Sequence, residues 1–216
     1  MGLWKVWCAA SGYHLAVDYL IVALKPAKLL ADSQITLSPA QRGQAEFILG
    51  EVTQLGYPTH VAMAAVANAL AESNLDPKIK AMEKSGHWSV GLFQLNTSPV
   101  GAGAEYAGRE DKLTSPKLNL QTLFAKEANM LTEHVVPAGQ ADVAASRFSE
   151  YVERPANGKV RAQQRMTLLQ KLFPKYAKLP VAQLPKIQVI PRKLVYIAAA
   201  AVIAGIAGFT LSQFSR

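Results

Sequence analysis

The stretch ALAESNLDP, residues 69–77, places Glu72 where a carboxylic acid can do chemistry. The turns before it are nearly all alanine, valine and leucine, and the chain bends just after it at Asn74 and Pro77. An acid so placed is poorly solvated and meets the negative end of a helix dipole. Both effects favour a carboxyl that keeps its proton. Such a group can protonate a glycosidic oxygen. A solvent-facing glutamate at a helix end is the plain alternative, and residue 72 alone does not decide between them. A second polar segment, GHWSVGLFQLN at residues 86–96, follows it. Other chemistries have less to stand on. His60, His87 and His134 are scattered, so no metal or other cofactor is expected. Phosphate-binding and dinucleotide fingerprints are missing, and the basic residues lack the aromatic interleaving of a nucleic-acid motif. Lys159, Arg161 and Arg165 read as a solvated helix face, or as contacts to an anionic wall.

Taken together, the two segments resemble the lysozyme-like superfamily, especially the soluble lytic transglycosylases and the phage tail lysozymes. Those proteins share a Glu-Ser pair ending a helix, a proline a few residues on, then an S-x-G-L-x-Q segment. This chain reads Glu72-Ser73, Pro77, then Ser89-Val90-Gly91-Leu92-Phe93-Gln94-Leu95-Asn96. Downstream, RFSEYVERPANGKVRAQQR from Arg147 to Arg165 is similar to an F-x-x-x-x-E-x-P region followed by an arginine. The matches frame residues from about 45 to 173. The resemblance implies a helical lysozyme-like domain with Glu72 as general acid and base. It implies that Ser89, Gln94 and Asn96 shape the floor of a sugar cleft. An aromatic from 148–151, Phe148 or Tyr151, is then expected beside the glutamate. No Asn-Ala-Gly follows that aromatic, a departure from the transglycosylase pattern that leaves transglycosylase or muramidase open.

Hydrolysis with two carboxylates needs a base or nucleophile at a set separation from the acid. One glutamate suffices where the sugar's own hydroxyl attacks to close an anhydro ring. Asp76, Glu83, Glu105, Asp111 and Glu127 are candidates for a second carboxylate. Glu127 stands out because it falls in the apolar stripe of its helix, near Phe124 and Leu131; its position favours a structural acid satisfied by buried hydrogen bonds. The other four lie in loop-like sequence and read as solvated. A single-glutamate mechanism is the expectation.

The elements that must hold these residues are helices. Ser38-Pro39-Ala40-Gln41 is a capping-box start with proline in the first turn. Phe47, Ile48, Val52 and Leu55 follow at helical spacing. Gly56 stops that helix and Pro58 opens the next, with Val61, Ala65, Ala69 and Leu70 near one face. Ser115-Pro116 starts another, carrying Leu120, Phe124, Glu127 and Leu131; one more covers about 140–153, and a last runs from about 158 to 173. No alternating strand pattern competes, so the fold class is mainly α.

The ends differ from this middle. From Leu194 to Leu211 no charge interrupts LVYIAAAAVIAGIAGFTL, which Arg192, Lys193 and Arg216 bound. That length matches the roughly 17–25 residues a membrane helix needs. Ala201 with Gly205, and Ala204 with Gly208, would let another helix approach closely. The prolines and lysines of residues 174–191 predict a semi-rigid spacer, with the cytoplasm on its side of the span. Residues 13–31 read as a helix packed on the domain, while Trp4, Trp7 and Tyr13 could rest at a membrane interface. The expected organisation is an apolar N-terminal segment at 1–35 and a catalytic domain at 36–173. A proline-rich linker at 174–192 and a single transmembrane helix at 193–213 complete it.

With 216 residues, half of them hydrophobic, the chain can bury a sizeable core. Its formal net charge of +8 suits nucleic acid, anionic lipid or an acidic polymer such as a cell wall. Cys8 is alone, so no internal disulfide forms. The expected substrate is the peptidoglycan strand, cut between N-acetylmuramic acid and N-acetylglucosamine. No signal-peptide pattern is evident, and the charge rule puts the domain inside. A wall enzyme so built suits a bacteriophage virion, held in a virion membrane, and in the host inner membrane during assembly, among other virion membrane proteins. The rivals are a membrane-anchored structural or adaptor protein with an inactive lysozyme fold, and a membrane-linked nucleic-acid binder.

Overall fold

Local sequence signals set the first two long helices. The computed structural model describes residues 25–155 and 157–187. A short helix, α1 (Pro26–Leu29), leads in, and Leu29 and Leu30 are buried in the core. Helix α2 (Pro39–Gln54) begins with the expected capping box: Ser38 Oγ accepts from the Gln41 amide and Gln41 Oε1 accepts from the Ser38 amide. Each satisfies an amide that a helix start leaves free. Helix α3 (Thr59–Ser73) is buried on all sides from Thr59 to Ala69. A run so rich in alanine lets neighbouring helices approach closely, and α3 is the central rod of the domain, with α2, α6 and α7 packed around it.

Helix α3 ends where Asn74 and then Leu75 adopt left-handed backbone, at φ 54° and 60°. Asparagine tolerates that conformation better than most residues, and Gln41 Nε2 donates to its Oδ1 at 2.9 Å. The chain then forms a small antiparallel sheet that the periodicity does not predict: β1 (Lys80–Met82), β2 (Trp88–Val90) and β3 (Leu95–Asn96) in that order. Strands of two and three residues are too short to show alternation.

Helix α4 (Pro116–Lys126) starts at Ser115, whose hydroxyl accepts from the Leu118 amide. The expected continuation to Leu131 breaks at Glu127, followed by α5 (Ala128–Met130) and a π-helical turn, Leu131–Val135. The helix expected over 140–153 is likewise two pieces, α6 (Ala141–Arg147) and a second π-helical turn, Phe148–Glu153, which ends at Arg154 with φ 49°. Helix α7 (Gly158–Leu172) closes the domain as expected. Phe124 and Phe148 lie 6.1 Å apart, Phe93 and Phe148 6.2 Å, joining the helical core to the sheet.

The stretch after α7 departs from the extended spacer that its prolines suggest, as far as it is described. Tyr176, Ala177, Leu184 and Ile187 are buried against the domain. The Ala177 carbonyl accepts from the Asp142 amide at 3.1 Å, and Thr59 Oγ1 donates to the Pro185 carbonyl at 2.8 Å. Apolar side chains between the prolines provide enough burial to hold the segment down. The helix expected at 13–31 falls mostly outside the described residues, and the span at 193–213 wholly outside them. Among the described residues no helix is long and apolar enough to cross a membrane.

Candidate active site at the end of helix α3

Glu72 occupies the last turn of α3, with its side chain 24% exposed. It is not the unpartnered acid that its apolar approach suggests. Arg165 of α7 holds the Glu72 carboxylate through its Nη2. Far from lying on a solvated helix face or against a wall, Arg165 is 1% exposed and is the largest of the fully buried side chains. Its Nε donates to Asn68 Oδ1 at 3.2 Å, one turn before Glu72. Asn68 is itself fully buried, and its Nδ2 donates to the carbonyls of Ala64 and Ala145. The guanidinium is therefore fixed by α3, and α3 by α6. A buried cation demands such partners, because removing one from water without them costs several kcal/mol.

A second carboxylate meets the same arginine. Glu153, last residue of the second π-helical turn, has its Oε2 3.8 Å from Arg165 Nε and its side chain only 7% exposed. Among the described residues neither of its carboxyl oxygens has a hydrogen-bond partner. Burial above all, then the negative charge of Glu72, push the Glu153 carboxyl well above the usual carboxylate range, against the pull of Arg165 and Arg161. Glu153 was absent from the carboxylates weighed on sequence. The signal that could have found it is the E-x-P glutamate closing RFSEYVERP, a few residues before a helix carrying four basic residues.

Glu127 has a different partner. Its carboxylate, 7% exposed, accepts from Arg154 Nη2 at 2.7 Å, and Arg154 is 54% exposed. Its position in the apolar stripe favours a structural acid satisfied by buried hydrogen bonds; the bond it makes comes from a largely exposed arginine.

The Ser89–Asn96 segment is brought against the end of α3 by the serine of the Glu-Ser pair. Ser73 Oγ lies 2.9 Å from the carbonyls of both Ala69 and Leu92, which share its one hydrogen. Gly91 has φ 79°, and a Cβ there would collide with the Asn119 side chain and the Leu113 carbonyl. The glycine of the motif is thus needed for close approach. Asn119, fully buried on α4 and not singled out on sequence, staples the loop: Nδ2 donates to the Val90 carbonyl at 2.8 Å and Oδ1 accepts from the Phe93 amide at 3.0 Å. Gln94, at φ 46°, donates to the Gly91 carbonyl at 2.9 Å. Ser89 and Asn96 are paired across β2 and β3, with Ser89 Oγ on Glu83 at 2.6 Å and Asn96 Oδ1 accepting from the Ser98 amide.

The two expected aromatics separate. Phe148 is completely buried in the core, so it offers no face to a sugar. Tyr151 is partly exposed and stacks on His134, ring centroids 4.0 Å apart and planes 10° from parallel.

With this geometry in view, the comparison with known proteins is direct. The chain matches the phage tail lysozyme family over residues 44–176, more than half its length, and belongs to that family. The matched stretch contains α3, the sheet, both π-helical turns and α7, and so every residue of the Glu72 cluster. No curated protein and no solved structure matches the chain.

Proposed function

We propose that this chain cleaves the glycan strands of peptidoglycan, with Glu72 as catalytic acid, in the service of a bacteriophage breaching the cell wall. The observation that carries the reading is the set of groups around Glu72. A carboxylate open to solvent ends a buried helix, beside the Ser-x-Gly-Leu-x-Gln segment, and is gripped from below by a buried arginine. The family's lysozyme character supports a glycosidase acting on the bond between N-acetylmuramic acid and N-acetylglucosamine.

Between the two outcomes, a lytic transglycosylase is favoured over a muramidase. Hydrolysis asks a second carboxylate to activate water across the sugar ring. Glu127 is bound to Arg154, Glu153 is buried, and Glu83 already accepts from the Ser89 hydroxyl at 2.6 Å. Attack by the sugar's own hydroxyl needs none of them. Ser89, Gln94 and Asn96 then form the floor on which the strand rests, and Tyr151 is the aromatic of choice for a sugar face. We further place the apolar segment 193–213 in a bilayer as a single-pass anchor, in the virion membrane, beside other virion membrane proteins.

Incubating the full chain with purified peptidoglycan tests the chemistry. Products ending in 1,6-anhydro sugar, lost in Glu72→Gln, are expected; reducing ends would make it a muramidase, and no cleavage by folded protein would favour the adaptor. The anchor is checked by liposome flotation, where removal of residues 188–216 should abolish flotation. Flotation that survives the removal would place membrane binding elsewhere.

A further inference from the structure

Arg165 has two acids and one positive charge to divide between them. We propose that Glu153 is a positioning acid of the Glu72 site, sharing Arg165 with Glu72 so that the two carboxyls hold one proton between them. The inference rests on the reading of Glu72 as catalytic acid and adds the source of the proton that it delivers.

The geometry restricts the alternatives. Glu72 is bonded to Arg165 Nη2, Glu153 lies 3.8 Å from Nε, and Nε itself donates to Asn68. Two ionised carboxylates would leave this buried cluster with a net negative charge, and Glu153 with no hydrogen bond from the described residues to offset it. A buried neutral carboxyl without partners is far less costly than a buried carboxylate without partners. Glu153 therefore carries the proton while Arg165 serves Glu72. The raised proton affinity of Glu153, caused by burial and by the charge on Glu72, agrees with this.

Among the described residues, the other charged groups around that turn do not supply a substitute cation. Arg161, also on α7, lowers the Glu153 proton affinity only as the weakest of the four influences on it. Arg154 is bonded to Glu127, Arg147 donates to the His134 carbonyl, and Asp142 accepts from Gln170. Glu133 and His134 approach each other at 3.9 Å, and Glu150 is exposed.

Sharing gives the site two arrangements of equal charge. In one, Glu72 is ionised on Arg165 and Glu153 is neutral. In the other, the Glu153 O–H proton has passed to a Glu72 oxygen, and the fixed guanidinium, its Nε 3.8 Å from Glu153, faces the new carboxylate. One positive and one negative charge are present before and after, so the exchange creates no net buried charge. Glu72 is a proton donor only in the second arrangement. A strand binding over Glu72 and drawing it away from Arg165 favours that arrangement.

Infrared titration of the full chain reads the shared proton without any activity assay. A protonated buried carboxyl band should persist in the wild type above the pH at which ordinary carboxyls have ionised, and be missing from Glu153→Gln. In Glu72→Gln, Arg165 is left wholly to Glu153, and the band should disappear at a pH lower by about one unit or more. A wild type without the band overturns the proposal, as does a Glu72→Gln titration identical to wild type. Cleavage kinetics supply the functional half: Glu153→Gln should move the alkaline limb of the kcat profile to lower pH with KM little changed. An unmoved limb in folded Glu153→Gln overturns the positioning role. If the infrared results hold while Glu72→Gln still cleaves peptidoglycan, the sharing stands and the assignment of Glu72 falls.

Discussion

Two glutamate–arginine pairs, built from neighbouring parts of the chain, are buried in opposite senses. In the Glu127–Arg154 pair the acid is 7% exposed and the arginine 54%. In the Glu72–Arg165 pair the arginine side chain is 2% exposed and the acid 24%. The second π-helical turn serves both, since Glu153 faces Arg165 and the next residue, Arg154, reaches Glu127. The first arrangement seals an acid inside the protein and leaves its cation in water, which is a structural use. The second fixes a cation and presents the acid outward, where a ligand can compete for it. On the function proposed above, the side of the pair that faces solvent separates a strut from a reactive group, even though the residue types are the same.

The contrast can be broken by mutation. The largest expected loss of stability is in the double variant Glu72→Gln/Glu153→Gln, which leaves the Arg165 guanidinium buried without a counter-charge. Roughly 3–5 kcal/mol is expected by denaturant unfolding, well beyond the sum of the single changes, because either glutamate can serve Arg165 alone. Simple additivity would remove the case for sharing. Next, Arg154→Ala should cost about 1.5–3 kcal/mol, since it strips a charged hydrogen bond from a buried acid. Glu127→Gln should cost less, as Arg154 is already solvated; the reverse order would mean that Glu127 is not the buried dependent of the pair.

Acidity sharpens the comparison further. The Glu153 carboxyl holds its proton more tightly in the folded chain than in the unfolded one. Its contribution to stability is therefore complete below the ordinary carboxyl range and is lost as pH rises through its own raised value. Melting of the wild type should fall over that window, while Glu153→Gln should lack that component; parallel curves would contradict the assignment. The smallest effect is expected at Ser73→Ala, about 1 kcal/mol for a hydroxyl whose bond to Leu92 ties the loop to α3. It sharpens the picture if cleavage falls with it, because the loop's seat against α3 would then matter to the chemistry.

Much of the fold was legible. Ser38 with Gln41, Gly56 with Pro58, and Ser115 with Pro116 mark helix starts through local hydrogen bonding and fixed backbone angles, so they read directly from sequence. The three short strands did not, because two or three positions are too few to show an alternating period. Glu72 and the Ser89–Asn96 segment were visible as residue types, and the Ser73 and Asn119 bonds give the physical reason for their spacing. Arg165 and Glu153 were misjudged or missed because a charged residue reads as solvated unless its partner is known. That partner lies 93 positions away from Arg165 in one case. Phe148 and Tyr151 looked equivalent in the sequence, and only the packing of the π-helical turn sends one inward and leaves the other at the surface.

The central claim is that the outward-facing member of these pairs does the chemistry. Release of soluble fragments from purified peptidoglycan by the full chain should be compared for wild type, Glu72→Gln and Glu127→Gln, with circular dichroism confirming that each is folded. We expect Glu72→Gln to lose about 10²–10⁴-fold in rate and Glu127→Gln to stay within a few-fold of wild type. Wild-type rates in folded Glu72→Gln, or equal loss in both variants, would contradict the account.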